Sequence, residues 1–147
     1  MTVTIASILS RKGSKIFSVE PEATVYETIA LMAQKGVGAM LVVSEGQLVG
    51  IVSERDYARK VMLMGRSSKD TLVKEIMTSK VVTATPEHTV DDCMRIVTHN
   101  HIRHLPVLAG DKLVGVVSIG DLVNSIIEAQ AHTIDQLHTY ISGQYPA

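Results

Sequence analysis

Gly50-Ile51-Val52-Ser53-Glu54-Arg55-Asp56 returns later in the chain as Gly115-Val116-Val117-Ser118-Ile119-Gly120-Asp121. The two stretches lie 65 residues apart (115 − 50). Upstream, Pro21-Glu22-Ala23-Thr24-Val25 returns as Pro86-Glu87-His88-Thr89-Val90 at the same spacing (86 − 21), so no gap separates the two anchors. One supersecondary unit has been duplicated, and each copy ends in Gly-apolar-apolar-Ser-x-x-Asp. A duplicated unit buries its apolar face against its twin. The two signatures are therefore expected to flank a shared cleft.

Working outward, each copy opens on a short apolar segment, Lys15–Val19 and Lys80–Ala84, that reads as a strand. A helix follows. Thr24-Val25-Tyr26-Glu27 and Thr89-Val90-Asp91-Asp92 are capping-box sequences, with a hydroxyl to hold the first free amides and an acid three residues on. Val25, Ile29, Met32 and Ala33 form one apolar helical face, and Val90, Met94 and Val97 repeat it. Gly36 is the expected left-handed stop of the first helix. The second copy lacks that glycine, and Asn100 is the expected substitute. Two hairpins come next, Ala39–Val43 with Leu48–Val52 and Leu105–Leu108 with Leu113–Val117. They are apolar on both faces, as a sheet covered on both sides requires. Pro106 has no amide to donate, which places its strand at an edge or a bulge. The final Ser-x-x-Asp opens another helix, from about Glu54 to Met64 in the first copy and from Asp121 to Ser142 in the second, with Gly143 as its stop. Residues 65–70 form a polar linker. Ile5–Leu9 and Val73–Met77 read as short lead-in helices.

Composition fits an aliphatic globular core. Apolar residues make up 46% of the 147, there is no Trp, and Phe17 is the single Phe. A net charge of −1 gives no global attraction for nucleic acid or an anionic membrane. Cys93 stands alone, so no intrachain disulfide forms, and no apolar run approaches the roughly 20 residues of a membrane span. No basic-then-apolar secretory leader opens the chain. A cytoplasmic protein is expected.

The paired Ser-x-x-Asp has two readings. At a strand-to-helix junction it is a capping box that finishes a helix. Its duplication across a cleft suits a nucleotide, because a helix start attracts phosphate and a carboxylate accepts from a ribose diol. His99, His101 and His104 straddle a helix end and a strand start with no cysteine or carboxylate nearby in sequence, so no metal site is expected. Lys60 reads as solvated, Arg55 as adjacent to the pocket, and Cys93 as a buried, inert thiol.

Both repeats resemble cystathionine-β-synthase-type (CBS) domains, and the pair resembles a Bateman module. The resemblance runs from about Ser7 to about Ile127. It rests on Ile76-Met77-Thr78, on Arg103-His104-Leu105-Pro106-Val107 and on the two Gly-x-x-Ser-x-x-Asp endings, in this order. It implies an α+β fold of two tandem strand–helix–strand–strand–helix repeats, 7–66 and 74–131, forming one pseudo-twofold module with a helical extension at 132–147.

The resemblance further implies adenosine-nucleotide binding between the repeats, AMP first, with ATP, ADP or NAD as alternatives and no metal. Asp56 and Asp121 would hold ribose, and Ser53 and Ser118 phosphate or ribose. One base wall maps onto Lys15, Ile16, Val37, Gly38 and Ala39. The other maps onto Thr78, Lys80, Val81, Ile102, Arg103 and His104. Each wall is expected to face the Asp of the opposite repeat. The clefts are expected to differ, because Arg55 stands where the second copy has Gly120, and Arg103 and His104 stand where the first has Gly38 and Ala39. The expected protein is a regulatory module and not an enzyme, a homodimer acting on a separate effector protein, with no nucleic-acid or membrane partner. The alternatives are a dimerisation scaffold with vestigial pockets and, third, a phosphoryl-transfer enzyme.

Overall fold

The computed structural model describes residues 3–13 and 15–141. The first repeat runs β1 (Ser18–Val19), α2 (Val25–Lys35), β2 (Ala39–Ser44), β3 (Gln47–Ser53) and α3 (Glu54–Tyr57), which continues as a π-helical turn over Ala58–Met62. The second runs α4 (Val90–Asn100), β4 (His104–Ala109), β5 (Lys112–Ser118) and α5 (Ile119–Ile141). The lead-ins are α1 (Ile5–Lys12) and a 3₁₀ turn over Val73–Glu75. The hairpins match in register: Ala39 faces Ser53 in one and His104 faces Ser118 in the other, and each slips once, after Val42 and after Val107. The expected α+β plan holds. The stop expected at Gly143 lies outside the described residues.

Local chemistry explains the helix boundaries. Thr24 Oγ1 accepts from the Glu27 amide at 3.1 Å, and Thr89 Oγ1 accepts from the Asp92 amide at 3.0 Å. Gly36 ends α2 in the left-handed region at φ 67°. In the second copy that conformation belongs to His101 (φ 53°, ψ 43°) and not to Asn100. Residue 101 is the register mate of Gly36 (101 − 36 = 65), so the fold keeps the cap position and accepts an unfavourable residue there. Asn100 stays helical, and its Nδ2 donates to the Ile96 carbonyl at 2.8 Å.

The opening strands are shorter than their sequences suggest. Lys15–Val19 yields only β1, parallel to β2 with Ser18 opposite Leu41. Lys80–Ala84 forms no strand and reduces to one parallel bridge between Ala84 and Val107. Proline accounts for the difference. In the first repeat the Leu41 amide donates to the Phe17 carbonyl at 3.4 Å. Its register mate is Pro106, which has no N–H, so that rung is missing in the second.

The cores are exchanged. Ile5 and Ile8 of α1 are buried with Val90, Val97, Leu105, Val117 and Leu122 of the second repeat. Val73 and Ile76 are buried with Val25, Met32, Met40 and Val52 of the first. The backbone ties each exchange down: the Val90 amide donates to Val3 and the Ile5 amide to His88, while Val73 donates to Ala23 and Val25 to Thr71. Two glycines allow the lead-ins this close. A Cβ on Gly50 would lie 2.5 Å from Met77 Sδ, and one on Gly115 would lie 2.7 Å from Leu9 Cδ2. The repeats are thus interlocked, and their signatures meet in the middle.

Candidate functional site

The exchange brings the end of β3 and the start of α3 against the segment after Met77 and the start of β4. Between them lies a cleft of about 520 Å³. Ser53, Glu54, Arg55, Asp56 and Arg59 line one side. Thr78, Lys80, Val81, Ile102, Arg103 and His104 line the other. The six-residue wall read from the sequence therefore faces the Asp of the opposite repeat, with Ser53 and Arg55 beside it. Gly38 and Ala39, assigned to the other cleft, line this one instead, because β2 leads directly into it.

The capping reading of Ser-x-x-Asp is realised in both copies. Asp56 Oδ2 accepts from the Ser53 amide at 2.9 Å and from its hydroxyl at 3.1 Å, and Ser53 Oγ accepts from the Asp56 amide at 3.2 Å. Asp121 Oδ2 accepts from the Ser118 amide at 2.8 Å, and Ser118 Oγ accepts from the Asp121 amide at 3.1 Å. Each box fixes its carboxylate at a helix start. Capping therefore positions the group without consuming both its oxygens.

The carboxylates differ in their cations. Lys60, read as solvated, sits 3.3 Å from Asp56 Oδ1 and donates to the Ile76 carbonyl at 2.8 Å. Its register mate is Ser125, whose buried hydroxyl has no hydrogen-bond partner. Asp121 is served by Lys12 of α1, whose Nζ lies 2.6 Å from Oδ2 and donates to the Val116 carbonyl at 3.0 Å. Burial raises the Asp121 pKa, but the Lys12 hydrogen bond and the Ser118 amide outweigh it and hold the carboxyl below its ordinary value. His104 moves the other way from a cation's usual benefit. Burial lowers its pKa, and Lys12 and Arg103 add to that, against the attraction of Asp121 and Glu54. Its neutral ring suits a base wall better than a phosphate clamp.

The rest of the second cleft's expected set lies outside the lining of this cleft. Lys15 is exposed, Ile16 is half-buried, and Val37 packs against the first repeat's core. Gly120 lies on the exposed first turn of α5. Sequence reading missed Ile51, Glu54, Arg59, Val82 and His101 in the open cleft. The lysine four residues after Asp56 carried the ordinary helical ion-pair signal. Nothing local pointed to Lys12, which acts across the exchange. Cys93 is buried, and desolvation pushes its pKa up to about 11, so it is no nucleophile. Among the described residues no cluster of His, Cys, Asp or Glu is arranged to hold a metal, and no helix is long and apolar enough to cross a membrane.

The sequence profile of the CBS domain matches this chain twice, over residues 5–63 and 73–128. A mitochondrial CBS domain-containing protein of Arabidopsis thaliana, CBSX3, is 39% identical over 98% of this chain and 74% of its own. A solved protein with CBS domains from Burkholderia ambifaria is 52% identical and superposes with a TM-score of 0.84, covering 87% of this chain and 96% of that one. The CBS domain pair of protein MJ0100 was solved with 5′-methylthioadenosine and S-adenosylmethionine. It shares the fold (TM-score 0.77) at 22% identity, covering 88% of this chain and 99% of that one.

Proposed function

This chain belongs to the CBS domain family, and from that premise we propose that it is a regulatory module that takes an adenosine nucleotide, AMP first, in the cleft beside Asp56. Domains of this family are generally regulatory. One observation carries the reading: a 520 Å³ cleft bounded by an anchored carboxylate on one side and an apolar strip on the other. That volume lies within the range of small-molecule sites. Asp56 supplies the acceptor for a ribose diol. Val81 and Ile102 offer apolar surface to a base. Arg55, Arg59, Lys80 and Arg103 outnumber Glu54 and Asp56, so the cleft favours an anionic ligand. The MJ0100 pair supports the reading at the level of fold, since its adenosine ligands occupy the same architecture. ATP, ADP and NAD carry the same recognition groups. The single cysteine keeps the cytoplasm as the proposed compartment.

A thermal-shift panel of AMP, ADP, ATP, NAD, S-adenosylmethionine and GTP tests this. A ligand confined to the native state stabilises it by about 2.7 kcal/mol at a hundredfold excess over its Kd. One adenosine ligand should raise Tm in the wild type and lose that effect in Asp56→Ala. No shift with any of them would turn the reading to the dimerisation scaffold.

We also propose that a second copy of the chain covers α5. Val123, Gln130 and Leu137 alternate with Ile127, Ile134 and Ile141 at spacings of four and three, a coiled-coil pattern with isoleucine at each a position and Val123, Gln130 and Leu137 at d. Ile127, Ile134 and Ile141 are 56%, 64% and 80% exposed. Two such stripes would remove on the order of 1,000 Å² from water, the threshold for a stable interface. Light scattering should give a dimer for the wild type and a monomer for Ile134→Asp/Leu137→Asp. A wild-type monomer would remove this part of the reading. The dimer would act on a separate effector protein.

A further inference from the structure

We infer that Lys12 decides which of the two clefts a nucleotide can enter, by occupying the one beside Asp121. This rests on the nucleotide reading above. The argument is one of register. Asp56 and Ile51 both line the open cleft, and their mates 65 residues on are Asp121 and Val116. Lys12 Nζ bonds both mates, Asp121 at 2.6 Å and the Val116 carbonyl at 3.0 Å. It therefore sits where the floor of the second cleft should be. In the open cleft the Ile51 carbonyl is taken instead by the backbone amide of Thr78, at 2.9 Å, and Ile51 donates back to Thr78 at 3.0 Å. A backbone rung there leaves Asp56, which lines the cleft, with Lys60 of its own helix at 3.3 Å. At Val116 a side-chain ammonium takes that role and also holds Asp121 Oδ2, at 2.6 Å.

The length of the lead-in produces the difference. Leu9 and Met77 are equivalent, each packed on the strand glycine of its partner repeat, and they are 68 residues apart (77 − 9) where the repeats are 65 apart. The first lead-in thus carries three additional residues before its strand. α1 uses them to extend through Lys12, whereas the second lead-in ends its helical turn at Glu75. Arg11 pairs with Glu128 of α5 and holds that last turn in place. Ser125, where the first repeat has Lys60, leaves Asp121 without a cation from its own helix. Lys12 replaces it from outside the repeat. A ribose diol at Asp121 has to displace an ammonium held at 2.6 Å and 39% exposed, whereas Lys60 stands 3.3 Å from Asp56 and is 45% exposed, so the exchange at Asp121 is the more strongly opposed.

Calorimetric titration with AMP tests this on the wild type, Lys12→Met, Lys12→Arg and Lys12→Met/Asp121→Ala. The wild type should bind one AMP per chain, at the Asp56 cleft. Lys12→Met should gain a second site, about tenfold tighter than any residual second binding in the wild type. The double variant should lose it, and Lys12→Arg should keep a single site. Two equal sites in the wild type, or one site in a folded Lys12→Met, would overturn the inference and leave the nucleotide reading intact. A circular-dichroism melt establishes folding. Failure of every variant to bind AMP or any other nucleotide of the panel would instead overturn the nucleotide reading, and this inference with it.

Discussion

The two repeats carry the same signature and different surroundings. Around Asp56 the counter-ion is Lys60, one turn along the same helix, and the cleft beyond is open. Around Asp121 the counter-ion arrives from α1, across the exchange. Duplication conserves the backbone frame, and the two copies then diverge in which residue satisfies each carboxylate. Equal motifs do not make equal sites.

Four experiments would break or sharpen that comparison. The largest effect belongs to the exchanged cores. Ile5→Ala and Ile76→Ala each leave a cavity in the partner repeat and should cost about 3 kcal/mol in urea denaturation. Both should unfold in a single transition, because each core is completed by the other repeat's lead-in. Two separated transitions would show that the repeats are energetically independent.

Next come the strand glycines. Gly50→Ala should cost about 2 kcal/mol by overpacking, and Gly115→Ala nearer 1 kcal/mol. The added methyl on Gly50 meets the Thr78 backbone oxygen at 3.1 Å as well as Met77, whereas the one on Gly115 meets only the Leu9 side chain among its nearest atoms. Equal costs would mean that both lead-ins yield alike.

The third uses pH. The pKa of folded His104 lies below its ordinary value, chiefly through burial. Below the ordinary histidine range the unfolded chain binds a proton that the folded chain refuses. Stability is therefore retained above that range and lost as pH falls through it. Chemical denaturation between pH 7.5 and 5.5 should show a smaller acid-side loss for His104→Gln than for the wild type. An identical pH dependence would remove His104 as the source.

The smallest is His101→Gly. Relieving a left-handed residue at the cap should stabilise by about 1 kcal/mol, read as a rise in Tm. The same gain is unavailable in the first repeat, which already has Gly36.

Much of this was legible from residues alone. The 65-residue offset located every hairpin and both signatures, and the threonine caps marked α2 and α4, because these features are local in sequence. Asn100 misled because its own propensity favours the left-handed region, while register assigned that position to its neighbour. Lys80–Ala84 misled because Pro106 lies 22 residues beyond Ala84 (106 − 84), and its missing amide acts only once the strands meet. Lys12 was hidden for the same reason. Its partners, Val116 and Asp121, are more than a hundred residues away and meet it only through the exchange of lead-ins.

That exchange also sets an order of events during synthesis. A ribosome that has released the first repeat as far as Met64 has not yet made Val73 and Ile76, which close its core. α1, finished first of all, has nothing to pack on until Leu105, Val117 and Leu122 emerge. The chain must therefore stay incompletely packed until α5 is under way. Neither half can be harvested as an autonomous folding unit by cutting at the linker, although a pair of fragments cut there has every contact it needs to reassemble.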